Sequence, residues 1–174
     1  GKTIMTTEPK FVPNNTAKIK LDDITCNIRL IDCVGYMIEK AIGATDENGP
    51  RMVKTPWYNE EIPFTEAAEI GTEKVIKEHS TIGIVITTDG SIGEFKREDY
   101  LEAETRVINE LKNIGKPFIV ILNSTHPTLP ETEKLANELE YEHNIPVLPI
   151  SIETMNEKDM YNILREALYE FPVL

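Results

Sequence analysis

The residues with the clearest chemical potential lie where one predicted strand ends. The mostly apolar stretch 28–32 finishes on Asp32, and Gly35 follows three positions later. In nucleotide hydrolases an Asp at such a strand end contacts Mg²⁺, and a Gly amide approaches the terminal phosphate because no side chain blocks it. The spacing therefore predicts a sensor of metal and phosphate. The plainer alternative is a strand-end Asp that shapes a turn before a Gly.

Two threonines upstream are the next candidates. Thr6 and Thr7 stand in a stretch without regular period, and Asp32 follows Thr7 by 25 positions. A loop Thr at this distance can offer its hydroxyl to Mg²⁺ and its backbone amide to phosphate. A surface Thr without a functional role is the alternative for either residue.

A third group of polar residues follows two later strands. Asn123 is followed by Ser124 and His126, where guanine-specific hydrolases place Asn-Lys-x-Asp. A neutral or cationic side chain cannot accept the guanine donor pair as a carboxylate does, so guanine selectivity is not predicted. Asn123 and Ser151 are candidate contacts to a nucleotide base. For Asn123, the alternative is a loop-shaping residue that bonds neighbouring backbone.

The pattern of the chain predicts the elements that would position these residues. Strands are predicted over 17–21, 26–32, 82–87, 117–122 and 146–150, the first two as an antiparallel hairpin. Helices are predicted over 66–78 after a cap at Thr65, between Asp99 and Gly115, and over 131–142 and 157–170. Residues 36–64 are expected to be a long irregular insertion. Continuous apolar strands between amphipathic helices indicate a mostly parallel α/β sheet covered on both faces, with ligands at the carboxyl ends of the strands.

Length and charge restrict the function further. The 174 residues favour one domain over 1–174, and the net charge of −12 argues against nucleic acid or an anionic membrane as a direct partner. The two cysteines, Cys26 and Cys33, are not spaced to pair, which indicates a reducing, cytoplasmic setting. Because the chain begins without Met and ends on an apolar run, we interpret it as a piece of a longer protein.

A phosphate-binding loop is not predicted in this chain. Gly1-Lys2-Thr3 matches the last three letters of G-x-x-x-x-G-K-[ST], but no strand precedes it and Pro9 leaves too little room for the helix that the motif must open. Arg51 and Arg97 lie in predicted loops and could reach a phosphate. Solvated surface arginines are the alternative.

Taken in order, these motifs resemble the family of stage IV sporulation protein A. The resemblance covers nearly the whole chain and is most specific in the 36–64 insertion. It rests on runs such as Thr6-Thr7-Glu8-Pro9, Asp32-Cys33-Val34-Gly35-Tyr36, Thr55-Pro56-Trp57-Tyr58, Thr87-Thr88-Asp89-Gly90 and Asn123-Ser124.

The resemblance implies a P-loop NTPase fold related to translation-factor GTPases, with the first strand and the phosphate loop absent here. It places Thr6 and Thr7 on the family's sensor threonines and Asp32 on its metal-contacting Asp, so Thr7 and Asp32 are the expected metal ligands and Gly35, Asn123 and Ser151 the expected ATP contacts. Tyr36 stands where Ras-like proteins have a water-orienting Gln, so turnover is expected to be slow.

The family is also expected to hydrolyse ATP with Mg²⁺ and to polymerise on the forespore outer surface in the mother cell, as the basement layer of the spore coat. Its partners would be further copies of itself and other coat morphogenetic proteins. The forespore membrane would be reached through regions beyond this chain, and the chain alone is expected to be inactive. Without its first strand, the sheet is expected to have a slot between Asp32 and Ile82, either closed up or filled by another chain.

A structural module is the competing hypothesis. In that case the α/β unit would serve only as a building block of the coat, and the 36–64 insertion with Trp57 and Tyr58 would be its contact surface.

Overall fold

The computed structural model describes residues 9–41 and 43–171 and shows a mixed α/β chain. Contacts within the chain group into two compact units, Gly1–Ser80 and Thr81–Leu174. The expectation of a single domain concerns both units together and stays a prediction, as does the slot between Asp32 and Ile82.

A long antiparallel hairpin opens the first unit. Strand β1 (Lys10–Leu21) pairs with β2 (Ile24–Asp32) across a tight turn in which Asp22 adopts φ 50°. The alternation of the sequence explains the hairpin, because Ile19 and Leu21 are shielded while the intervening lysines are exposed. The strand begins earlier than predicted: Pro13 lies where the register shifts, a place in a strand that tolerates proline.

The 36–64 insertion is not irregular, which corrects the prediction. It contains two small antiparallel hairpins, the first of β3 (Thr45–Asp46) and β4 (Gly49–Pro50), the second of β5 (Met52–Thr55) and β6 (Tyr58–Pro63). Their strands are too short to show an alternating pattern in the sequence, so the many Gly and Pro residues dominated the interpretation.

One helix closes the first unit. Helix α1 (Phe64–Lys74) continues as a π-helical turn, Val75–His79. The predicted helix is therefore confirmed, but it begins at Phe64, so Thr65 lies within the helix and does not cap it. Phe64, Ala67 and Ala68 are almost fully buried and form the inner face of α1.

The second unit is built on a three-stranded parallel sheet. Its strands are β7 (Gly83–Thr88), β8 (Phe118–Asn123) and β9 (Val147–Ile150), in the order β7-β8-β9. β8 is central and buried from Phe118 to Leu122, as its continuous apolar sequence predicts. The register aligns Thr88 with Asn123 and Asn123 with Ile150, so the three carboxyl ends lie together.

Helices follow each of these strands. They are a 3₁₀ helix (Arg97–Tyr100) that leads into α2 (Leu101–Ile114), then α3 (Pro130–His143) and α4 (Glu157–Tyr169). Gly115 ends α2 with φ 73°, as predicted, and Ile163 and Ala167 of α4 pack on Ile119 and Ile121 of β8. Within the described part of the chain, no helix combines the length and apolar character needed to cross a bilayer.

Candidate functional site

The turn after β2 carries the first group of predicted residues. Asp32 is the last residue of β2 and is exposed, and Gly35 adopts φ 79°, in the left-handed region that glycine enters without a side-chain penalty. We call residues 32–35 the sensor turn. A Cβ added at Gly35 would meet no described atom within 4 Å, so the backbone there lies open to a close approach.

The Gly35 amide already has a partner inside the protein. It donates a hydrogen bond to Oγ1 of Thr72, at 3.1 Å. Thr72 lies on α1 and is only 3% exposed, so its hydroxyl is a fixed acceptor. Thr72 could not be predicted as part of this site, because a Thr on the inner face of a helix is typical of a packing residue.

The Cys33 thiol shares this environment. Burial raises its pKa, while hydrogen bonds from the Gly35 backbone and the Thr72 side chain act in the opposite direction. The thiol is therefore mostly protonated at neutral pH and a weak nucleophile. Both cysteines are free, as predicted.

The sensor turn suits Mg²⁺ in its ligand chemistry. Mg²⁺ sites at phosphates commonly use one or two carboxylates and fill the remaining positions with water and phosphate oxygens. The exposed carboxylate of Asp32 can act as one such ligand. Among residues 9–41 and 43–171, no three His, Cys, Asp or Glu side chains are grouped to hold a metal by themselves. Thr6 and Thr7, the other predicted metal and phosphate contacts, lie outside the described residues.

The loop after β8 carries the second group. We call residues 123–126 the base loop. Asn123 Oδ1 accepts a hydrogen bond from the Ile152 backbone at 3.0 Å, and the Ser124 backbone donates to the Ile150 carbonyl at 3.0 Å. Ile150 and Ile152 are the residues on either side of Ser151. The structure therefore brings Asn123 and Ser151 together. The Asn123 side chain thus bonds neighbouring backbone, as the loop-shaping alternative predicts.

An aspartate of the run Thr87-Thr88-Asp89-Gly90, for which no role was predicted, anchors this loop. Asp89, directly after β7, accepts hydrogen bonds from the Ser124 hydroxyl at 2.6 Å and from the backbone and hydroxyl of Ser91 at 2.9 and 2.5 Å. Ser91 and Ser124 in turn accept the backbone N–H groups of Thr125 and His126. Ser124 is fully buried.

Electrostatics favour the charged form of Asp89. Burial alone would raise its pKa, but the hydrogen bonds from Ser124 and Ser91 outweigh burial and lower the pKa below the usual value. Ser124 fills the position of the Lys in Asn-Lys-x-Asp, and its hydroxyl pairs with this carboxylate. The signal available in the sequence was an Asp after an apolar strand, which is the same signal that identified Asp32.

Arg97 is not a solvated surface arginine, so that alternative was wrong, and its reach to a phosphate stays a prediction. Its guanidinium makes a bidentate pair with Glu104 at 2.6 and 2.7 Å, and the two side chains are 15% and 3% exposed. Thr87 at the end of β7 joins both of them, and Arg97 also donates to the Thr88 carbonyl. Glu104 is buried and Leu101 is 45% exposed, so at the start of α2 the charged residue faces inward and the leucine faces solvent.

Arg51 is likewise engaged within the protein. Its guanidinium lies over the Phe64 ring, 5.2 Å from the ring centroid, and its carbonyl accepts the Phe64 backbone N–H. The structure thus gathers the predicted residues in two places, Asp32 with Gly35 in the first unit and Asn123 with Ser151 in the second.

The fold and these two groups define a mixed α/β protein with polar residues collected where strands end, the arrangement of nucleotide-binding α/β domains. The family model described as "Stage IV sporulation protein A, ATPase domain" matches residues 1–172, and the chain belongs to that family. The predicted resemblance is confirmed.

Curated relatives agree with this assignment. The chain is 63% identical to Stage IV sporulation protein A of Bacillus anthracis and to that of Bacillus subtilis (strain 168), over 100% of this chain in both cases. It is 50% identical to the protein of the same name from Clostridioides difficile (strain 630), over 99% of the chain. The chain spans about a third of these relatives, 36% of the two Bacillus proteins and 35% of the third.

Proposed function

We propose that this chain is the main part of a P-loop NTPase domain in a longer protein that hydrolyses ATP to assemble the basement layer of the bacterial spore coat. Membership of a family described by its ATPase domain carries the proposal. The three-stranded parallel sheet and the exposed Asp32 ahead of Gly35 support it. The P-loop lies upstream of Gly1 in this proposal, so the chain alone hydrolyses no ATP.

The sensor turn acts on the terminal phosphate in the proposed reaction. Asp32 and Thr7 would hold Mg²⁺, which would supply positive charge to the phosphates of the nucleotide. Thr6 contributes a backbone contact to phosphate, and Gly35 contributes its amide to the terminal phosphate. No residue is assigned as the group that orients the attacking water.

The base loop holds the adenine end of the nucleotide. The Ile152 amide, next to Ser151, donates to the Asn123 side chain. The segments that follow β8 and β9 therefore lie together. His126 stands where a guanine-binding Asp would stand and cannot accept the two guanine donors as a carboxylate does. The proposed substrate is therefore ATP.

Replacing Asp32 tests the proposal. In the full-length protein, Asp32→Ala removes the carboxylate that holds Mg²⁺ and is expected to lower kcat for ATP hydrolysis at least 100-fold. Asp23→Ala, an equally exposed carboxylate at the other end of the same hairpin, is the matched control and keeps wild-type turnover. Wild-type hydrolysis in Asp32→Ala would remove Asp32 from the site.

The proposed setting is the mother-cell cytoplasm at the forespore outer surface. The partners are further copies of the protein and other coat morphogenetic proteins, and regions outside this chain contact the forespore membrane. A net charge of −12 supports the absence of nucleic acid from this list.

A purely structural role in the coat is the second candidate. The β5–β6 hairpin exposes two large apolar side chains, Met52 at 47% and Tyr58 at 50%, next to Trp57. Such residues are enriched where proteins meet. If this hairpin is a contact surface, Tyr58→Ser abolishes self-assembly of the full-length protein in sedimentation assays while ATP hydrolysis continues.

A further inference from the structure

The hydrogen bond between Gly35 and Thr72 has a consequence for the proposed phosphate sensor. The Gly35 N–H points to the buried Oγ1 of Thr72 at 3.1 Å, and the Cys33 thiol lies against the same amide. The same N–H cannot at the same time donate a full hydrogen bond to a phosphate oxygen. The structure therefore shows the sensor turn with its phosphate-binding group already engaged.

We propose that Thr72 is a positioning residue that latches the Gly35 amide, and that the terminal phosphate of ATP must take this amide from Thr72 to engage the sensor turn. The inference rests on the proposed function and extends it, because it gives the site two states. In the latched state Gly35 bonds Thr72, and in the released state Gly35 bonds the phosphate.

The energies of the two bonds suit such an exchange. The bond to Thr72 joins neutral groups and contributes about 1 kcal/mol, whereas a bond to a charged phosphate oxygen is roughly twice as strong. ATP can therefore displace Thr72, while in its absence the latch closes. ADP lacks the terminal phosphate and leaves the latch closed.

The backbone of the turn permits the change. Gly35 adopts φ 79°, and glycine crosses between left- and right-handed conformations without a Cβ clash. An added Cβ would meet no described atom within 4 Å, so no described side chain packs against Gly35 at that position. Thr72, by contrast, is 3% exposed on α1 and stays in place.

Thr72→Val in the full-length protein tests the latch. Valine keeps the shape of threonine but cannot accept the Gly35 N–H, so the latched state loses its bond and the released state gains in population. The dissociation constant of a non-hydrolysable ATP analogue is expected to fall roughly 3- to 10-fold, while that of ADP stays the same. Thr72→Ser keeps the hydroxyl and is expected to retain the wild-type ratio of the two constants.

Cys33 offers a second readout within the wild-type protein. Its thiol lies beside Gly35 and Thr72, so release of the amide changes its surroundings. Iodoacetamide labelling of Cys33, followed by mass spectrometry, is expected to change in rate with the ATP analogue and to stay constant with ADP. Cys26, near the start of β2, is the internal control and keeps one rate throughout. This readout decides the question even if Thr72→Val fails to fold.

The outcomes separate the two proposals. Equal effects of Thr72→Val on both nucleotides, or no effect on either, overturn the latch and leave the ATPase proposal standing. Equal Cys33 labelling with the ATP analogue and ADP does the same. A wild-type full-length protein that binds neither nucleotide overturns the proposed function and the latch together.

Discussion

The sensor turn and the base loop both follow a strand end, yet they are held in different ways. The sensor turn is fixed to α1 through neutral groups, because the Gly35 amide and the Cys33 thiol both meet the Thr72 hydroxyl. The base loop is fixed by an ionised carboxylate, Asp89, which binds Ser91 and Ser124, and these two hydroxyls accept the next backbone amides. Bonds to charged groups contribute roughly 1.5–3 kcal/mol each, against about 1 kcal/mol for neutral ones.

The difference fits the division of labour in the proposed function. A loop held by several linked bonds keeps one conformation, which suits recognition of a base. A turn held by weaker bonds between neutral groups can adopt two conformations, which suits the proposed detection of a phosphate. The predictions below probe the rigid side of this contrast, from the largest effect to the smallest.

Removing the charge of Glu104 is expected to have the largest effect. Glu104→Gln removes the charge that pairs with the largely buried Arg97 guanidinium. It also weakens the hydrogen bond that Thr87 of β7 donates to residue 104. Breaking a buried pair in this way costs about 3–5 kcal/mol of unfolding free energy. Urea unfolding followed by far-UV circular dichroism measures the loss.

Glu102→Gln is the matched control for Glu104→Gln. Glu102 lies on the same helix and is exposed, so the same chemical change is expected to alter the unfolding free energy by less than about 0.5 kcal/mol. Equal effects of the two substitutions would mean that the buried pair does not hold β7 and α2 together.

The second prediction concerns the loop that leads from Asp89 to Arg97. Gly90 adopts φ 89°, and a Cβ there would lie 2.7 Å from the Arg97 backbone nitrogen. Gly90→Ala therefore combines strain of about 1–2 kcal/mol with a backbone clash, and is expected to lower the unfolding free energy by at least about 2 kcal/mol. Hydrogen exchange at the β8 amides locates the loss in the second unit.

Gly93→Ala isolates the clash from the strain. Gly93 has a similar φ of 77° in the same loop, but an added Cβ meets no described atom within 4 Å. Its cost is expected to be the strain alone, about 1–2 kcal/mol. If both alanines cost the same, the contact between Gly90 and the 3₁₀ helix does not constrain the loop.

The elements of the second unit could be predicted because their signals are local. Uninterrupted apolar runs gave β7, β8 and β9, and periodic apolar residues gave the helices that cover them. The hairpin of β1 and β2 followed from alternation near Ile19 and Leu21. The small hairpins of residues 45–63 were missed because strands of two to six residues rich in Gly and Pro show no period.

The groups that hold the candidate site were harder to predict. Asp32 and Gly35 are three positions apart, so their spacing carried a signal, and family membership supports it. Gly35 and Thr72 are 37 positions apart, and Asp89 and Ser124 are 35 apart. No local pattern in the sequence predicts such pairs, because only the fold brings the two partners within hydrogen-bonding distance.

The last prediction concerns Asp89 and the pH dependence of the base loop. Asp89→Asn keeps the size of the side chain but replaces one acceptor oxygen with a donor amide, and removes the charge that strengthens the bonds from Ser91 and Ser124. The expected loss at pH 7 is about 1–3 kcal/mol of unfolding free energy. Glu153→Gln, an exposed carboxylate of the same unit, is the control and is expected to have little effect.

The sign of the pH effect follows from the lowered pKa of Asp89. Because the folded state holds the pKa below its unfolded value of about 3.9, the ionised carboxylate stabilises the fold above that pH and loses its contribution as the pH falls through the folded-state value. The difference between wild type and Asp89→Asn is therefore expected to be largest at neutral pH and to shrink below about pH 4. A difference that stays constant between pH 7 and pH 3 would show that shape, rather than charge, holds the base loop. The contrast with the sensor turn would then rest on the number of bonds alone.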